Sequence, residues 1–178
     1  MESCLVSVTG SVEALAMAEE NAEWLRPAVI TCPGCGVRLY RVDHSPFCDD
    51  DRLYCDRCPR CVEVSWYDDV YQRIEKAVPT GRKDYELFMP VVESMLRACR
   101  CGGRFRYAAP RRCFACSAVV VEEAGVDLSP YSAWCDDRDR DATDDEQAAY
   151  DEFVKAFVVG DEPWRDDVEE QLAAIRDR

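Results

Sequence analysis

The sequence lacks most of the features on which catalysis and membrane insertion depend. His44 is the single histidine, so the chain has only one imidazole that could act as the base for a catalytic nucleophile. Neither phosphate-binding pattern, G-x-x-x-x-G-K-[ST] or G-x-G-x-x-G, occurs, and no apolar run approaches the roughly 18 residues of a membrane span. The first residues, MESCLVSVTGS, have an acid at position 2 and no sustained hydrophobic stretch, so no signal peptide is expected. These absences predict a cytoplasmic protein that is not an enzyme and does not bind a membrane.

Cysteine, by contrast, is abundant. The chain has 12 cysteines in 178 residues, which stays below the fraction of roughly 8–10% that marks a disulfide scaffold. Several cysteines form C-x2-C pairs, and such pairs in a chain without a signal peptide favour metal binding in a reducing compartment over disulfides.

Acidic residues are concentrated in the last third of the chain. The formal net charge is -14. Residues 119–178 contain 19 acidic and 6 basic side chains, whereas residues 1–118 contain 17 acidic and 16 basic side chains. This asymmetry bears on partners and solubility rather than on the fold.

The first metal motif contains two C-x2-C pairs, Cys32 with Cys35 and Cys55 with Cys58. The spacer of 19 residues between the pairs is compatible with a structural zinc site. We prefer Cys55 with Cys58 because Cys61 would then begin the following strand. The ligand set remains open, because His44, Cys48 or Cys61 could replace one of these four cysteines. A third site could also be formed by Cys4, Cys48, Cys61 and Cys135. His44 is otherwise expected at the surface or behind the ligands.

The second metal motif contains Cys99 and Cys101, followed by two glycines, and then Cys113 and Cys116. Four thiolates in two close pairs can surround one Zn²⁺ in a tetrahedron. The glycines allow the backbone to turn tightly beside the metal. The sequence therefore predicts two zinc ions per chain, with neighbouring pairs sharing a metal.

Both motifs resemble zinc ribbons, the modules that include rubredoxin-like domains. The C-P-G-C-G run at 32–36 matches the usual knuckle, whereas 55–59 has proline in place of the last glycine and 99–101 is C-x-C. The resemblance implies that each pair lies at the tip of a β-hairpin and that two such knuckles share one metal. Zinc is expected, with iron as the less favoured alternative.

Periodicity predicts strands at 37–42, 61–67 and 118–123 and amphipathic helices between and around them. The helices are expected at 11–25, 70–77 and 85–98, from a Thr143–Glu146 capping box to Gly160, and from Pro163 onward. Residues 127–145 are polar and loop-like. The expected fold is α+β and has five segments: a strand and helix (1–30), a first zinc ribbon (31–78), a linking helix (79–98), a second zinc ribbon (99–122), and an acidic loop with a helical hairpin (123–178).

Residues 97–116 contain six arginines and no acid, interleaved with aromatic rings. Guanidinium groups with rings are typical of surfaces that contact single-stranded nucleic acid. The candidate contacts are Arg104, Arg106, Arg111 and Arg112. Against this, the net negative charge would repel a polyanion, and the arginines could instead pair with the acidic C-terminal helices.

Three functions follow from these observations. The favoured one is a zinc-stabilised protein that binds an unidentified protein partner as an adaptor. The second is a nucleic-acid-binding ribbon protein that is masked by its acidic tail. The third is a rubredoxin-like electron carrier with iron.

Overall fold

A computed structural model describes residues 28–43, 49–130, 143–160 and 162–176. The expected helix at 11–25 lies outside these ranges, as do Cys4, His44, Cys48 and Cys135. Within the described ranges, the helices are too short or too polar to cross a membrane.

The described residues form nine short strands and four helices. The strands are β1 (Ala28–Thr31), β2 (Arg38–Asp43), β3 (Asp50–Cys55), β4 (Cys61–Ser65), β5 (Phe105–Arg106), β6 (Arg111–Arg112), β7 (Val119–Val121), β8 (Val126–Ser129) and β9 (Val158–Val159). The helices are α1 (Asp69–Ala77), α2 (Tyr85–Met95), α3 (Asp144–Phe157) and α4 (Val168–Arg176), with a 3₁₀ turn (Gly81–Lys83) between the first two. Small sheets beside helices confirm the expected α+β class.

The strands form three sheets, with the orders β1-β2-β8, β5-β3-β4-β9 and β6-β7. The pairs are antiparallel except that β4 and β9 run parallel. Two pairings join segments that are distant in sequence. Tyr40 of β2 lies opposite Ser129 of β8, and Cys55 of β3 lies opposite Phe105 of β5.

Side-chain caps define where three of the helices begin. The Asp68 carboxylate accepts hydrogen bonds from the backbone N–H groups of Val70 and Tyr71, at 2.8 and 3.2 Å, and Asp84 caps α2. The expected capping box is confirmed: Glu146 N–H donates to Thr143 Oγ1 at 3.3 Å, and Thr143 N–H donates to the Glu146 carboxylate at 2.9 Å. These bonds satisfy backbone donors that the first helical turn leaves unpaired.

The main core lies between the four-stranded sheet and helices α1, α2 and α4. Leu53, Tyr71, Phe88, Met95 and Leu172 are all at most 1% exposed there. A second, smaller core lies between the other two sheets and contains Cys32, Leu39, Cys113, Val121, Val126 and Leu128. Both cores therefore include cysteines from the predicted motifs: Cys55 and Cys99 in the main core, and Cys32 and Cys113 in the smaller one.

A buried carboxylate links the main core to its helices. Asp51 is 4% exposed, and it accepts hydrogen bonds from Tyr71 Oη at 2.5 Å, Tyr85 Oη at 3.1 Å and Trp66 Nε1 at 3.2 Å. Three donors offset the cost of desolvating this group. Asp51 therefore ties β3 to α1 and α2.

Several local expectations differ from the structure. The helix expected to reach Gly160 ends at Phe157, because Val158 and Val159 form β9 and pair with β4. Residues 127–145 were expected to be loop-like, yet their first residues belong to β8. Leu128 is buried in the small core, and Asp127 accepts hydrogen bonds from Tyr54 and Arg52, so the polar residue is satisfied within a sheet. The last helix begins at Val168 rather than Pro163, because Trp164 forms a β-bridge with Leu96 at the end of α2.

Candidate metal centres

The eight cysteines of the two motifs lie in two groups of four. Cluster 1 consists of Cys32, Cys35, Cys113 and Cys116, and cluster 2 consists of Cys55, Cys58, Cys99 and Cys101. The sulfur atoms of each cluster all lie within 4.8 Å of one another. Each cluster offers a complete set of four ligands to a metal ion.

The clusters are nested along the chain, so the expected combination of neighbouring pairs is wrong. The first C-x2-C pair joins the last one, and the two middle pairs join each other. The reason lies in the strand register. Pairing of β2 with β8 brings residues 113–121 beside the hairpin of β1 and β2, and pairing of β3 with β5 brings residues 99–105 beside the hairpin of β3 and β4.

The sulfur separations fit a tetrahedral metal. Zn–S bonds of about 2.3 Å place the corners of a tetrahedron about 3.8 Å apart. In cluster 1, Cys32 Sγ lies 3.5 Å from Cys116 Sγ, and Cys35 Sγ lies 3.7 Å from Cys113 Sγ. In cluster 2, the corresponding distances are 3.5 Å for Cys55 with Cys101 and 3.6 Å for Cys58 with Cys99. A disulfide would require about 2.05 Å, and these cysteines are free thiols.

The two knuckles of cluster 1 have the same backbone geometry. Cys32 N–H donates to Val37 O at 2.9 Å and Gly36 N–H to Cys32 O at 3.0 Å; Cys113 and Ser117 repeat this pattern, each at 2.8 Å. Gly36 has a φ of 76° and Ser117 a φ of 62°. Serine therefore adopts, at some conformational cost, the left-handed turn that glycine adopts freely.

Cluster 2 depends on a close backbone approach at Gly103. A Cβ at this position would lie 2.6 Å from Cys55 Sγ and 2.6 Å from Asp56 Oδ1. The loop is held there by Asp56 N–H, which donates to Arg104 O at 3.0 Å, and by Arg104 N–H, which donates to Asp56 Oδ1 at 3.0 Å. A residue larger than glycine would push this loop away from the sulfur atoms.

Backbone N–H groups point at sulfur in both clusters. Gly34 N–H donates to Cys32 Sγ at 3.3 Å, and Gly103 N–H donates to Cys101 Sγ at 3.4 Å. Burial alone would raise the pKa of Cys32, but backbone hydrogen bonds outweigh it and lower the pKa to about 6. The same balance lowers the pKa of Cys101 to about 7, whereas burial raises the pKa of Cys55 to about 11. Each cluster thus has one sulfur that readily becomes the thiolate a metal requires.

Among the described cysteines, Cys61 is the one that joins neither cluster. It begins β4, as expected, and packs with Tyr54 and Ala109 in a small apolar group. Burial raises its pKa to about 12. Cys61 is therefore an inert buried thiol. The other alternative ligands, His44 and Cys48, lie outside the described residues, as do Cys4 and Cys135.

The arginines expected to contact nucleic acid do not form one continuous exposed surface. Arg111 is 1% exposed and donates to the carbonyls of Val126 and Ala109, at 2.6 and 2.5 Å. It is unavailable to a partner, which corrects its assignment as a contact. Arg112 donates to Asp56 O at 2.9 Å, and Arg106 pairs with Glu93 at 3.3 Å.

The rings between these arginines are covered as well. Phe105 is 4% exposed, and Tyr107 packs against Tyr85 with ring centroids 5.5 Å apart. Phe114 contacts Phe153 and Phe157 of α3, with centroids 4.8 and 5.1 Å away. The rings that the sequence offered for stacking on bases thus pack against other parts of the protein instead.

A family model matches the region that contains both clusters. The model of a family described as Domain of unknown function (DUF8255) matches residues 28–122, which include both clusters and more than half of the chain. The comparisons with curated proteins and with solved structures find no match. The chain therefore belongs to the family described as Domain of unknown function (DUF8255).

Proposed function

We propose that this chain is a non-enzymatic zinc-binding protein whose two structural Cys4 sites hold a scaffold for a protein partner. The observation that supports this best is the arrangement of eight thiols as two tetrahedral sets, with sulfur separations of 3.5–3.7 Å. Four thiolates per metal are typical of structural zinc, whereas catalytic zinc keeps one position for water.

A structural role fits the small size of the sheets. β5, β6 and β9 have two residues each, and strands this short provide little stability by themselves. Cluster 1 connects the hairpin of β1 and β2 to that of β6 and β7, and cluster 2 connects the hairpin of β3 and β4 to the loop before β5. Metal binding would therefore supply folding free energy, on the order of 10 kcal/mol per site in small zinc-binding peptides.

An adaptor role fits the absence of an open coordination site in either set of four thiols. Because four thiols would complete the coordination of each metal, what remains for binding a partner is the exposed surface that the clusters hold in place. Tetrathiolate sites also bind iron, so the rubredoxin-like alternative has the same ligands and must be separated from zinc by experiment.

Elemental analysis of the full chain, purified under reducing conditions and desalted, tests this proposal. We expect two zinc ions per chain, no visible absorption, and loss of near-ultraviolet circular dichroism on chelation. Cobalt exchange should produce the absorption bands of tetrahedral cobalt thiolate. A coloured protein with iron as its major metal, or a chain that keeps its tertiary signal after complete metal removal, would refute the proposal.

A further inference from the structure

Cluster 2 is surrounded by arginines, whereas the rest of the protein is acidic. Arg57 lies between Cys55 and Cys58, Arg100 lies between Cys99 and Cys101, and Arg104 follows two glycines after Cys101. We refer to Arg57, Arg100 and Arg104 as the arginine triad. Asp56 is the one acid in these two loops, and its carboxylate accepts a hydrogen bond from Arg104 N–H at 3.0 Å. The net charge of the chain is -14, so a surface with three arginines and one acid is a local exception.

The arginine triad is exposed, and its guanidinium groups have no partner within the described ranges. All three residues are exposed, and none of their guanidinium groups bonds to an acid or carbonyl among the residues that the structure describes. Nearby arginines behave differently: Arg97 pairs with Asp166 at 2.5 Å and Arg106 with Glu93. As far as the described residues are concerned, the triad is therefore available to bind an anion.

The loops that form cluster 2 fix the backbone positions of the three arginines. Arg57 N–H donates to Cys55 Sγ at 3.5 Å, and the backbones of Asp56 and Arg104 are hydrogen-bonded to each other. Cys55 and Cys101 place their sulfur atoms 3.5 Å apart. The three arginines thus project from two loops that one metal would hold together, which reduces the entropy lost on binding.

Charge compensation of a zinc tetrathiolate does not account for the triad. Such a site has a formal charge of -2 wherever it occurs in the protein. Neither turn of cluster 1 has a cation between its cysteines, but Arg38 follows Cys35 by three residues, and Arg111 and Arg112 precede Cys113. Arg111 and Arg112 donate to backbone carbonyls. Among the described residues, cluster 1 therefore has one arginine nearby without a side-chain partner and cluster 2 has three, and this excess at cluster 2 needs another explanation.

Carboxylates fit the triad better than a nucleic acid does. Binding to single strands relies on rings for stacking, but Phe105 is buried and Phe114 packs against α3. Duplex DNA has one charge per roughly 1.7 Å, and a protein with a net charge of -14 would repel it strongly. A short acidic segment has a lower charge density, and each guanidinium can hold a carboxylate with two hydrogen bonds.

We propose that the arginine triad binds an acidic, carboxylate-rich segment of a protein partner. This inference rests on the proposed adaptor function and specifies the chemistry of its partner. Affinity should fall as salt is raised, because exposed ion pairs are screened.

Fluorescence anisotropy with the zinc-loaded full chain tests the inference. The probe is a labelled 12-residue peptide in which glutamate alternates with glycine, and labelled single-stranded and duplex DNA of 20 nucleotides or base pairs serve as competing probes. The variant R57A/R100A/R104A should bind the peptide on the order of tenfold more weakly. The control is Arg38→Ala, since Arg38 of β2 is exposed and its side chain has no hydrogen bond or ion pair among the described residues; the affinity of this variant should be unchanged.

Every outcome bears on the inference. Equal peptide affinity of the wild type and the triad variant would overturn it, as would tighter, triad-dependent binding of either DNA. If the alanine variant lost zinc, R57K/R100K/R104K would replace it; this variant keeps the charge but not the two-bond geometry, and should bind several-fold more weakly with two zinc ions retained. Failure of the proposed function is separate, because it would appear as missing zinc in the wild type.

Discussion

Replacing Cys35 and Cys116 together by serine should remove one of two zinc ions, because both residues belong to cluster 1. Replacing Cys35 and Cys58 together should remove both, because these residues belong to different clusters. If neighbouring pairs along the chain shared a metal, the two double variants would give the opposite result. The comparison therefore tests the nested arrangement directly.

The expected loss of stability follows from the loop that cluster 1 closes. Cys35 and Cys113 are 78 residues apart, and a cross-link across such a loop constrains the unfolded chain by roughly 4–5 kcal/mol. For a chain of this size, 1 kcal/mol shifts Tm by about 2–4 °C. The Cys35 and Cys116 double variant should therefore melt roughly 10–20 °C below the wild type, and metal–thiolate bonds make this a minimum.

The assay is metal content per chain by elemental analysis, with Tm followed by circular dichroism. Cys61→Ser is the control, since Cys61 lies outside both clusters and its variant should retain two zinc ions. Loss of both metals from the Cys35 and Cys116 variant, together with retention of one by the Cys35 and Cys58 variant, would refute the nested arrangement.

Three further predictions concern the surroundings of the clusters. Gly103→Ala should cost about 1–3 kcal/mol and weaken zinc binding at cluster 2, because its Cβ would overlap Cys55 Sγ; Gly160→Ala, where a Cβ meets no atom within 4 Å, is the matched control, and equal Tm values would contradict the prediction. Ser117→Gly should raise stability by about 1 kcal/mol, since it relieves a left-handed serine; denaturant unfolding measures this, and a decrease would argue against the strain. Phe114→Ala should cost about 2 kcal/mol and speed amide hydrogen exchange in α3 while two zinc ions remain; unchanged exchange would show that Phe114 does not hold the helix.

Local features were predictable because they depend on residues close together in sequence. The Thr143–Glu146 capping box is one turn of helix, and the Cys32–Cys35 knuckle needs only a proline, two glycines and two thiols. In each case a short pattern defines the hydrogen bonds. The helix ends that were misjudged, such as the start of α4, depend instead on Trp164 pairing with Leu96 across the fold.

The roles of single arginines could not be predicted from the sequence. Arg104 and Arg111 look alike in a run of arginines and rings, yet Arg104 is exposed and Arg111 is 1% exposed beneath Tyr54, with its guanidinium carbon 4.1 Å from the ring centroid. Burial depends on the neighbouring strands, because β6 places Arg111 beside the carbonyl of Val126. Arg57 lies beside the loop of Arg100 and Arg104 because β3 pairs with β5.

The sequence by itself determined that thiols come in close pairs, each able to form half of a tetrahedral site. Which pairs combine was decided by the tertiary structure. Loop closure depends only weakly on length, so joining pairs 78 residues apart instead of about 20 costs roughly 1.2 kcal/mol more, less than the effect of a few buried side chains. The pairing of β2 with β8 and of β3 with β5 therefore outweighs proximity along the chain.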